Sequence, residues 1–183
     1  MSKFNKNYYE QRYQKDVAGF SVDSRRAYLY KARIRTLKKL GIKAKNVLEV
    51  GCGIGPMTKY LSSNFQQVNA IDISNDAINF CKMKFKNPNV KFEVATAENL
   101  PFKDSSFDII FAYDVYEHVV DHNICFKEAQ RVLKRGGVLF MAVPNPQSLG
   151  ARIKGKYPEY KGLPISERKK QWFGWQDDTH INL

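Results

Sequence analysis

The sequence has no apolar stretch that approaches the roughly 18 residues of a membrane-spanning helix. Its first residues lead into charged sequence and not into the apolar segment of a secretory signal. Cysteine is scarce as well, because Cys52, Cys81 and Cys125 are an odd number and do not have the spacing of metal ligands. We therefore expect reduced thiols, no disulfide, no metal site and a cytoplasmic location.

Acidic residues are few near the start of the chain, although the net charge of the whole sequence is +12. Residues 1–45 carry 13 Lys and Arg against three Asp and Glu, whereas residues 46–150 are nearly neutral. Such a basic segment suits an acidic substrate, nucleic acid or peripheral contact with an anionic membrane, and equally lysines that serve only solubility. We predict a helix over residues 24–40 that buries Ala27, Tyr30, Ile34 and Leu37, within a basic N-terminal layer, residues 1–45, that forms a lid.

Short apolar runs alternate with helical patterns from residue 46 onward, which is typical of βαβ units. Strands are predicted at residues 47–50, 68–71, 90–94, 107–111 and 138–143. Pro56 is placed to begin one helix, and Ser74 and Asp121 are placed to cap two others. The helix after Asp121 is predicted to close at Lys134–Gly136. The pattern predicts an α/β, Rossmann-like, doubly wound and mostly parallel sheet with helices on both faces.

Strands beyond the fifth are missing from this pattern. After Pro146 the chain offers glycines, prolines and charges but no further alternating apolar run. We therefore expect the sheet to lack its last strands. On this interpretation, residues 46–183 form a Rossmann-like core that is truncated at its C-terminal end and leaves the fifth strand with an exposed edge.

A glycine-rich turn joins the first predicted strand to the first helix after it. Gly51, Gly53 and Gly55 follow Glu49 in the pattern E-x-G-x-G-x-G. Glycines without Cβ atoms adopt positive φ and let the backbone approach a ligand closely. Asp72 follows the second strand, where a carboxylate can accept hydrogen bonds from both hydroxyls of a ribose. The two features together predict a site for a nucleoside cofactor.

Two details distinguish this turn from a dinucleotide fingerprint. The pattern G-x-G-x-x-G would place glycine at Pro56, and it does not require an acid at position 49. The sequence instead resembles the class I S-adenosylmethionine-dependent methyltransferases, in particular those that act on small molecules such as quinone precursors. The resemblance covers residues 46–146. It lies in residues 47–55 (VLEVGCGIG), 95–102 (ATAENLPF), 107–119 (FDIIFAYDVYEHV) and 131–137 (RVLKRGG).

The resemblance implies S-adenosyl-L-methionine as the cofactor and a role for several residues. Asp72 would hold the ribose hydroxyls, and Ile73 would flank the adenine. Glu49 and the backbone of Tyr113 would lie near the methionine amino group. The residues of the turn that would face the methionine and ribose are Gly51, Cys52, Gly53 and Gly55, and those that would edge the adenine are Thr96, Ala97 and Glu98. The family often has Asp where this chain has Thr96. Because threonine accepts a hydrogen bond only as a neutral group, the resemblance implies weaker recognition of the adenine.

Histidines are the clearest candidates for a catalytic base. His118 follows the fourth strand, where it could take a proton from the acceptor, or else orient a helix start or pack against the cofactor. His122 could share a metal with His118, but the sequence offers no further ligand set. His180 lies in a segment that resembles one placed near the acceptor in some relatives.

Methyl transfer requires little covalent help from a protein, because positioning the acceptor and excluding water supply much of the rate. The sequence therefore predicts an enzyme that methylates O, N or C of a small molecule. The excess of Lys and Arg in residues 1–45, and in residues 151–183 with seven against four Asp and Glu, leaves open an RNA or protein acceptor, which would show strongly salt-dependent binding for RNA. An inactive cofactor-binding remnant and a nicotinamide oxidoreductase also remain open. The sequence does not indicate an oligomeric state.

Overall fold

The computed structural model describes Gln11 and residues 24–142. The chain divides into two units after Met141, and all described residues except Ala142 belong to the first. The elements in chain order are α1 (Ser24–Lys39), β1 (Asn46–Val50), α2 (Thr58–Ser62), β2 (Gln67–Asp72), α3 (Asn75–Lys84), β3 (Val90–Val94), β4 (Phe107–Tyr113), a 3-10 turn (Tyr116–His118), α4 (His122–Val132) and β5 (Leu133–Ala142). The prediction that the sheet lacks its last strands concerns residues that lie outside the described part of the chain.

The five strands form one sheet in the order β3-β2-β1-β4-β5. β1 lies between β2 and β4 and is parallel to both, with Val50 opposite Ile71 on one side and Ala112 on the other. β3 is parallel to β2. Because strand order reverses beside β1, the carboxyl ends of β1 and β4 form the switch point at which such sheets bind ligands. The predicted α/β, Rossmann-like sheet is confirmed.

Helices cover both faces of the sheet, as predicted. On one face, Val47 of β1 packs in a cluster with residues of α1 and α2, among them Tyr30, Ile34, Leu37 and Leu61. On the other face, Leu48 and Val50 pack with residues of α4, namely Cys125, Ala129 and Val132. The alternation of these β1 side chains follows from the two-residue period of a strand. The predicted buried face of α1 is therefore confirmed for Tyr30, Ile34 and Leu37.

The predicted caps are confirmed, whereas two predicted helix ends are wrong. Ser74 Oγ accepts from the N–H of Ala77, and Asp121 accepts from two N–H groups of α4. α2 begins at Thr58 and not at Pro56. α4 ends at Val132 because Leu133 is already extended, so that β5 begins there and contains the residues that were predicted to close the helix.

The early end of α4 has a tertiary cause. The carbonyls of Arg131 and Val132 accept hydrogen bonds from the N–H groups of Ser105 and Ser106, at 2.9 and 2.8 Å. These donors come from the segment before β4, so the last turn of the helix is satisfied by a neighbouring loop instead of by further helix. A pattern confined to residues 121–136 contains no sign of this partner.

Asp108 fixes the amino ends of the strands, at the edge opposite the switch point. Its Oδ2 accepts from the N–H groups of Lys45 and Asn46, each at 2.8 Å. Its Oδ1 accepts from Lys134 Nζ at 2.7 Å. One carboxylate of β4 thus joins the start of β1 to β5. Within residues 24–142, no helix is long and apolar enough to cross a bilayer.

Candidate functional site

The turn after β1 has the backbone conformation that its glycines predict. Gly51, Gly53 and Gly55 have φ values of +72°, +52° and +82°. The N–H groups of Gly51 and Cys52 both donate to the carbonyl of Ile71, at 2.8 and 2.9 Å. These bonds fasten the turn to the end of β2, which places it beside Asp72.

Two of the glycines are also required by packing within the chain. A Cβ atom on Gly51 would overlap the side chain of Val115, and one on Gly55 would lie 2.6 Å from Cε2 of Phe85. The space that a side chain would need at these positions is therefore filled by residues that follow β4 and α3. Sequence reasoning assigned the bare backbone to a ligand and did not identify either neighbour. That a ligand lies against this turn stays a prediction.

Asp72 is 4% exposed and lies at the end of β2. Its Oδ2 accepts from the N–H of Gly53 at 2.8 Å, and its Oδ1 accepts from the N–H of Ser74 at 3.0 Å. Both oxygens are thus held by backbone N–H groups on either side of β2, which fixes the orientation of the carboxylate. The carboxylate both shapes the turn and stands where a ribose is predicted.

Glu49 is a second buried acid of the site and is 3% exposed. Thr58 Oγ1 donates to its Oε2 at 2.6 Å. Burial raises the pKa of this carboxyl to about 8; the bond from Thr58 lowers the pKa and the nearby charge of Asp72 raises it. Without a ligand, Glu49 is therefore mostly protonated at neutral pH, and a cation beside it would favour its ionised form.

Replacing Glu49 with Gln is expected to flatten the pH dependence of stability. Folding raises the pKa of Glu49 from 4.5 to about 8. The contribution of Glu49 to the free energy of unfolding is therefore most favourable below about pH 4.5 and is lost as pH rises through 8. In that range one group lowers the free energy of unfolding by up to about 1.4 kcal/mol per pH unit. Urea unfolding at several pH values measures this slope. Exposed Glu93 provides the control, and equal slopes in the Glu49→Gln and Glu93→Gln variants would contradict the assignment.

Tyr113 ends β4 and connects the site to α1. The guanidinium carbon of Arg33 lies 4.0 Å from the centroid of the Tyr113 ring. The tyrosine hydroxyl is buried and has no hydrogen-bond partner within the described part of the chain. Burial raises the pKa of Tyr113, and the charge of Arg33 lowers it. The basic helix α1 therefore packs directly beside the end of β4, although its role as part of a lid stays a prediction.

The predicted adenine-side segment lies between β3 and β4. Ala97 is buried in the core, and Thr96 forms an isolated bridge with Asn99. Glu98 Oε1 accepts from the N–H of Val120 at 3.2 Å, which ties this segment to the one after β4. Ile73 is half-buried after β2. These contacts fix the segment near the carboxyl edge of the sheet, which is the position predicted for adenine contacts.

Arg131 of α4 also binds the segment between β3 and β4, whereas its place in a motif typical of the family had given it no such role. It donates to the carbonyls of Leu100 and Phe102, at 3.0 and 2.7 Å. It also pairs with Glu128 and Asp104. The pair with Glu128 joins neighbouring turns of one helix, whereas Leu100, Phe102 and Asp104 lie 31, 29 and 27 positions away, so sequence spacing gives no sign of those three contacts.

The catalytic candidates lie in and after the 3-10 turn. The His118 side chain is 28% exposed, and its Nε2 lies 3.8 Å from Oε1 of Glu117. The Glu117 side chain is only 6% exposed. Sequence reasoning selected His118 and passed over this acid, because only its burial distinguishes it from a surface Glu. His180 lies outside the described residues.

Comparison with known proteins supplies independent evidence on the family. The family model described as Methyltransferase domain matches residues 48–141. A fatty-acid O-methyltransferase of Mycolicibacterium smegmatis is 30% identical over 114 residues, which are 61% of this chain and 42% of that protein. A phthiotriol/phenolphthiotriol dimycocerosates methyltransferase of Mycobacterium tuberculosis is 35% identical over 106 residues, 56% of this chain and 39% of that one. The chain thus spans less than half the length of these relatives.

Solved structures agree on the fold. The PH0226 protein of Pyrococcus horikoshii is 32% identical, with a TM-score of 0.57 over 76% of this chain and 68% of that chain. The mmp1179 protein of Methanococcus maripaludis has a TM-score of 0.63 over 94% of this chain and 78% of its own, at 20% identity. The second likeness concerns the fold alone.

Proposed function

The chain belongs to the S-adenosylmethionine-dependent methyltransferase family, and we propose that it transfers the methyl group of this cofactor to a small molecule. The observation that carries the proposal is the arrangement of the positive-φ turn against two buried carboxylates, Glu49 and Asp72. The named relatives act on fatty acids and on phthiotriol lipids. They favour an oxygen atom of a lipid-like small molecule as the acceptor.

The donor and acceptor groups of the site fit the cofactor. The charge of Asp72 raises the pKa of Glu49 because the two carboxylates repel each other when both are ionised. A ligand that carries an ammonium group, a sulfonium and ribose hydroxyls supplies positive charge for Glu49 and hydrogen-bond donors for Asp72. When bound, it provides an electrophilic methyl group on a positively charged sulfur.

We assign the cofactor contacts as the sequence suggests. Asp72 accepts from the ribose hydroxyls, and Glu49 with the backbone of Tyr113 binds the methionine amino group. The remaining contacts are Gly51, Cys52, Gly53 and Gly55 for the methionine and ribose, Ile73 for one adenine face, and Thr96, Ala97 and Glu98 for the adenine edge. Residues 1–45 are proposed as the lid and residues 46–183 as the cofactor-binding core. The three buried, unpaired cysteines are consistent with a proposed cytoplasmic location.

Calorimetry with S-adenosylmethionine tests the proposal. We expect binding that strengthens as pH rises from about 6 to 8, because the ammonium group drives Glu49 to release a proton that it otherwise holds. Binding should release protons over this range, which titrations in two buffers of different ionisation enthalpy will measure. Absence of binding at millimolar cofactor would remove the proposal. Cofactor binding without turnover of any acceptor would favour the inactive remnant, and steeply salt-dependent RNA binding would favour the nucleic-acid alternative.

A further inference from the structure

A buried carboxylate without a hydrogen bond lies after β4. The Glu117 side chain is 6% exposed, and neither of its oxygens accepts a hydrogen bond in the described part of the chain. Burying an ionised carboxylate without partners is strongly unfavourable, and native proteins rarely retain such a group without a reason. Glu117 therefore requires an explanation in terms of a ligand or a proton.

Glu117 lies in the turn whose first residue, Val115, packs against the candidate cofactor turn. β4 pairs with β1 through Ala112 and Val50, and Val115 fills the space beside Gly51. Glu117 follows Val115 by two residues, within a turn that the bond from the N–H of His118 to the carbonyl of Val115 closes at 2.9 Å. Tyr116 anchors this turn in the core, where its ring packs against Phe126 with centroids 5.2 Å apart.

The surroundings of Glu117 give it the proton affinity of a base that works near neutral pH. Burial is the main cause that raises its pKa to about 7, and the charge of Asp114 also raises the pKa. Among the described residues, the ionisable groups recorded near it are Asp114 and His118. A base with a pKa near the working pH combines a large ionised fraction with useful proton affinity.

A more exposed histidine lies beside Glu117. His118 Nε2 lies 3.8 Å from Glu117 Oε1, and the histidine side chain is 28% exposed whereas that of Glu117 is 6% exposed. A histidine at this distance can take over a proton after a small movement or through one water and release it to solvent. In this arrangement Glu117 accepts the proton in the interior, and His118 passes it to solvent.

Resting on the proposed function, we propose that Glu117 is the base that deprotonates a hydroxyl acceptor. The acceptor oxygen forms its bond to the methyl carbon, and the carbon–sulfur bond breaks with both electrons remaining on sulfur. The hydroxyl proton passes to the Glu117 carboxylate, which becomes neutral, and then leaves through His118. Charge balances, because one positive sulfur and one negative carboxylate both become neutral.

The same carboxylate limits the class of acceptor. A carboxylate acceptor has no proton to lose and would be repelled by an ionised Glu117. An alcohol or phenol gives up its proton to that group and gains a hydrogen bond to it first. We therefore assign this chain to hydroxyl acceptors, in contrast to the substrate in the name of the fatty-acid O-methyltransferase relative.

Two measurements on the whole chain test the assignment, one of them independent of activity. Carbon-13 labelling of glutamate carboxyls, with the Glu117→Gln variant to identify the signal that disappears, gives the titration of Glu117. We expect a midpoint near 7. A midpoint below about 5, close to the ordinary range of glutamate, would overturn the proposal.

The second measurement compares long-chain alcohols and phenols with fatty acids of matched length. The Glu117→Gln variant should bind S-adenosylmethionine as tightly as the unaltered protein but methylate hydroxyls about 100-fold or more slowly, the usual contribution of a general base. Its rate should also lose the rise with pH near neutrality, which a merely structural change would leave in place. Glu93→Gln is the control.

Either hydroxyl methylation at the normal rate by Glu117→Gln or a preference of the unaltered chain for fatty acids would overturn the assignment. If the unaltered chain binds the cofactor but methylates no member of the panel, the assignment to hydroxyl acceptors is overturned. Failure of the unaltered chain to bind the cofactor would instead remove the proposed function, so the two failures are distinguishable.

Discussion

Replacing Asp72 with alanine is expected to weaken S-adenosylmethionine binding about 100-fold or more. Two hydrogen bonds from ribose hydroxyls to a carboxylate contribute about 1.5–3 kcal/mol each, and about 1.4 kcal/mol corresponds to a factor of ten in affinity. The variant also removes the acceptor for the N–H groups of Gly53 and Ser74. The turn should therefore lose its shape together with its ligand contact. Calorimetry under conditions where both proteins are folded measures the change.

Two further variants separate the ligand contact from general effects. Asp72→Asn keeps one oxygen acceptor without the charge, and we expect an affinity between those of the unaltered chain and Asp72→Ala. Asp76→Asn changes an exposed acid four residues away and should leave affinity unchanged. Unchanged affinity in Asp72→Ala, with Asp76→Asn behaving normally, would show that the ribose assignment is wrong.

Replacing Gly51 with alanine is expected to lower the free energy of unfolding by about 2–5 kcal/mol. Positive φ costs an L-residue about 1–2 kcal/mol, and forcing a methyl group into a filled space costs about 1–3 kcal/mol further. At Gly51 both apply, because φ is +72° and the side chain of Val115 occupies the space. Urea unfolding measures the loss.

Gly41 provides a matched control, since its φ is +68° and nothing lies within 4 Å of where its Cβ would be. Gly41→Ala should therefore show only the backbone cost. In the Gly51→Ala background, Val115→Ala should recover part of the lost stability, whereas alone it should be destabilising because it removes packed methyl groups. Equal losses at Gly41 and Gly51, or strictly additive effects of Gly51→Ala and Val115→Ala, would contradict the packing explanation.

The fold was predictable where short-range pattern determines it. The apolar runs at Val47 and Val68 predict strands because a buried parallel strand must be apolar, and Ser74 predicts a cap because its hydroxyl reaches the third N–H of the helix. The end of α4 was not predictable, since the carbonyl of Val132 is satisfied by Ser106 from another part of the chain. Tertiary hydrogen bonding overrode the local signal there.

The candidate site also has features that the sequence predicted and features that it did not. The glycine turn and Asp72 were recognisable because residue type and spacing alone determine what such a turn can do. Glu117 was not, because a glutamate in sequence gives no sign of burial or of missing partners. The contact between Val115 and Gly51 was also hidden, since it joins residues from two loops that only the pairing of β1 with β4 brings together.

The Asp108 carboxylate has a consequence for how sequences on this sheet can diverge. It holds β1 through the backbone N–H groups of Lys45 and Asn46, which any residue except proline can supply, but holds β5 through the Lys134 side chain. Of these contacts, only the one between Asp108 and Lys134 depends on the identity of two side chains. Exchanging the loops at the opposite edge of the sheet leaves this pair in place, so we expect such chimeras to keep the amino ends of the strands joined.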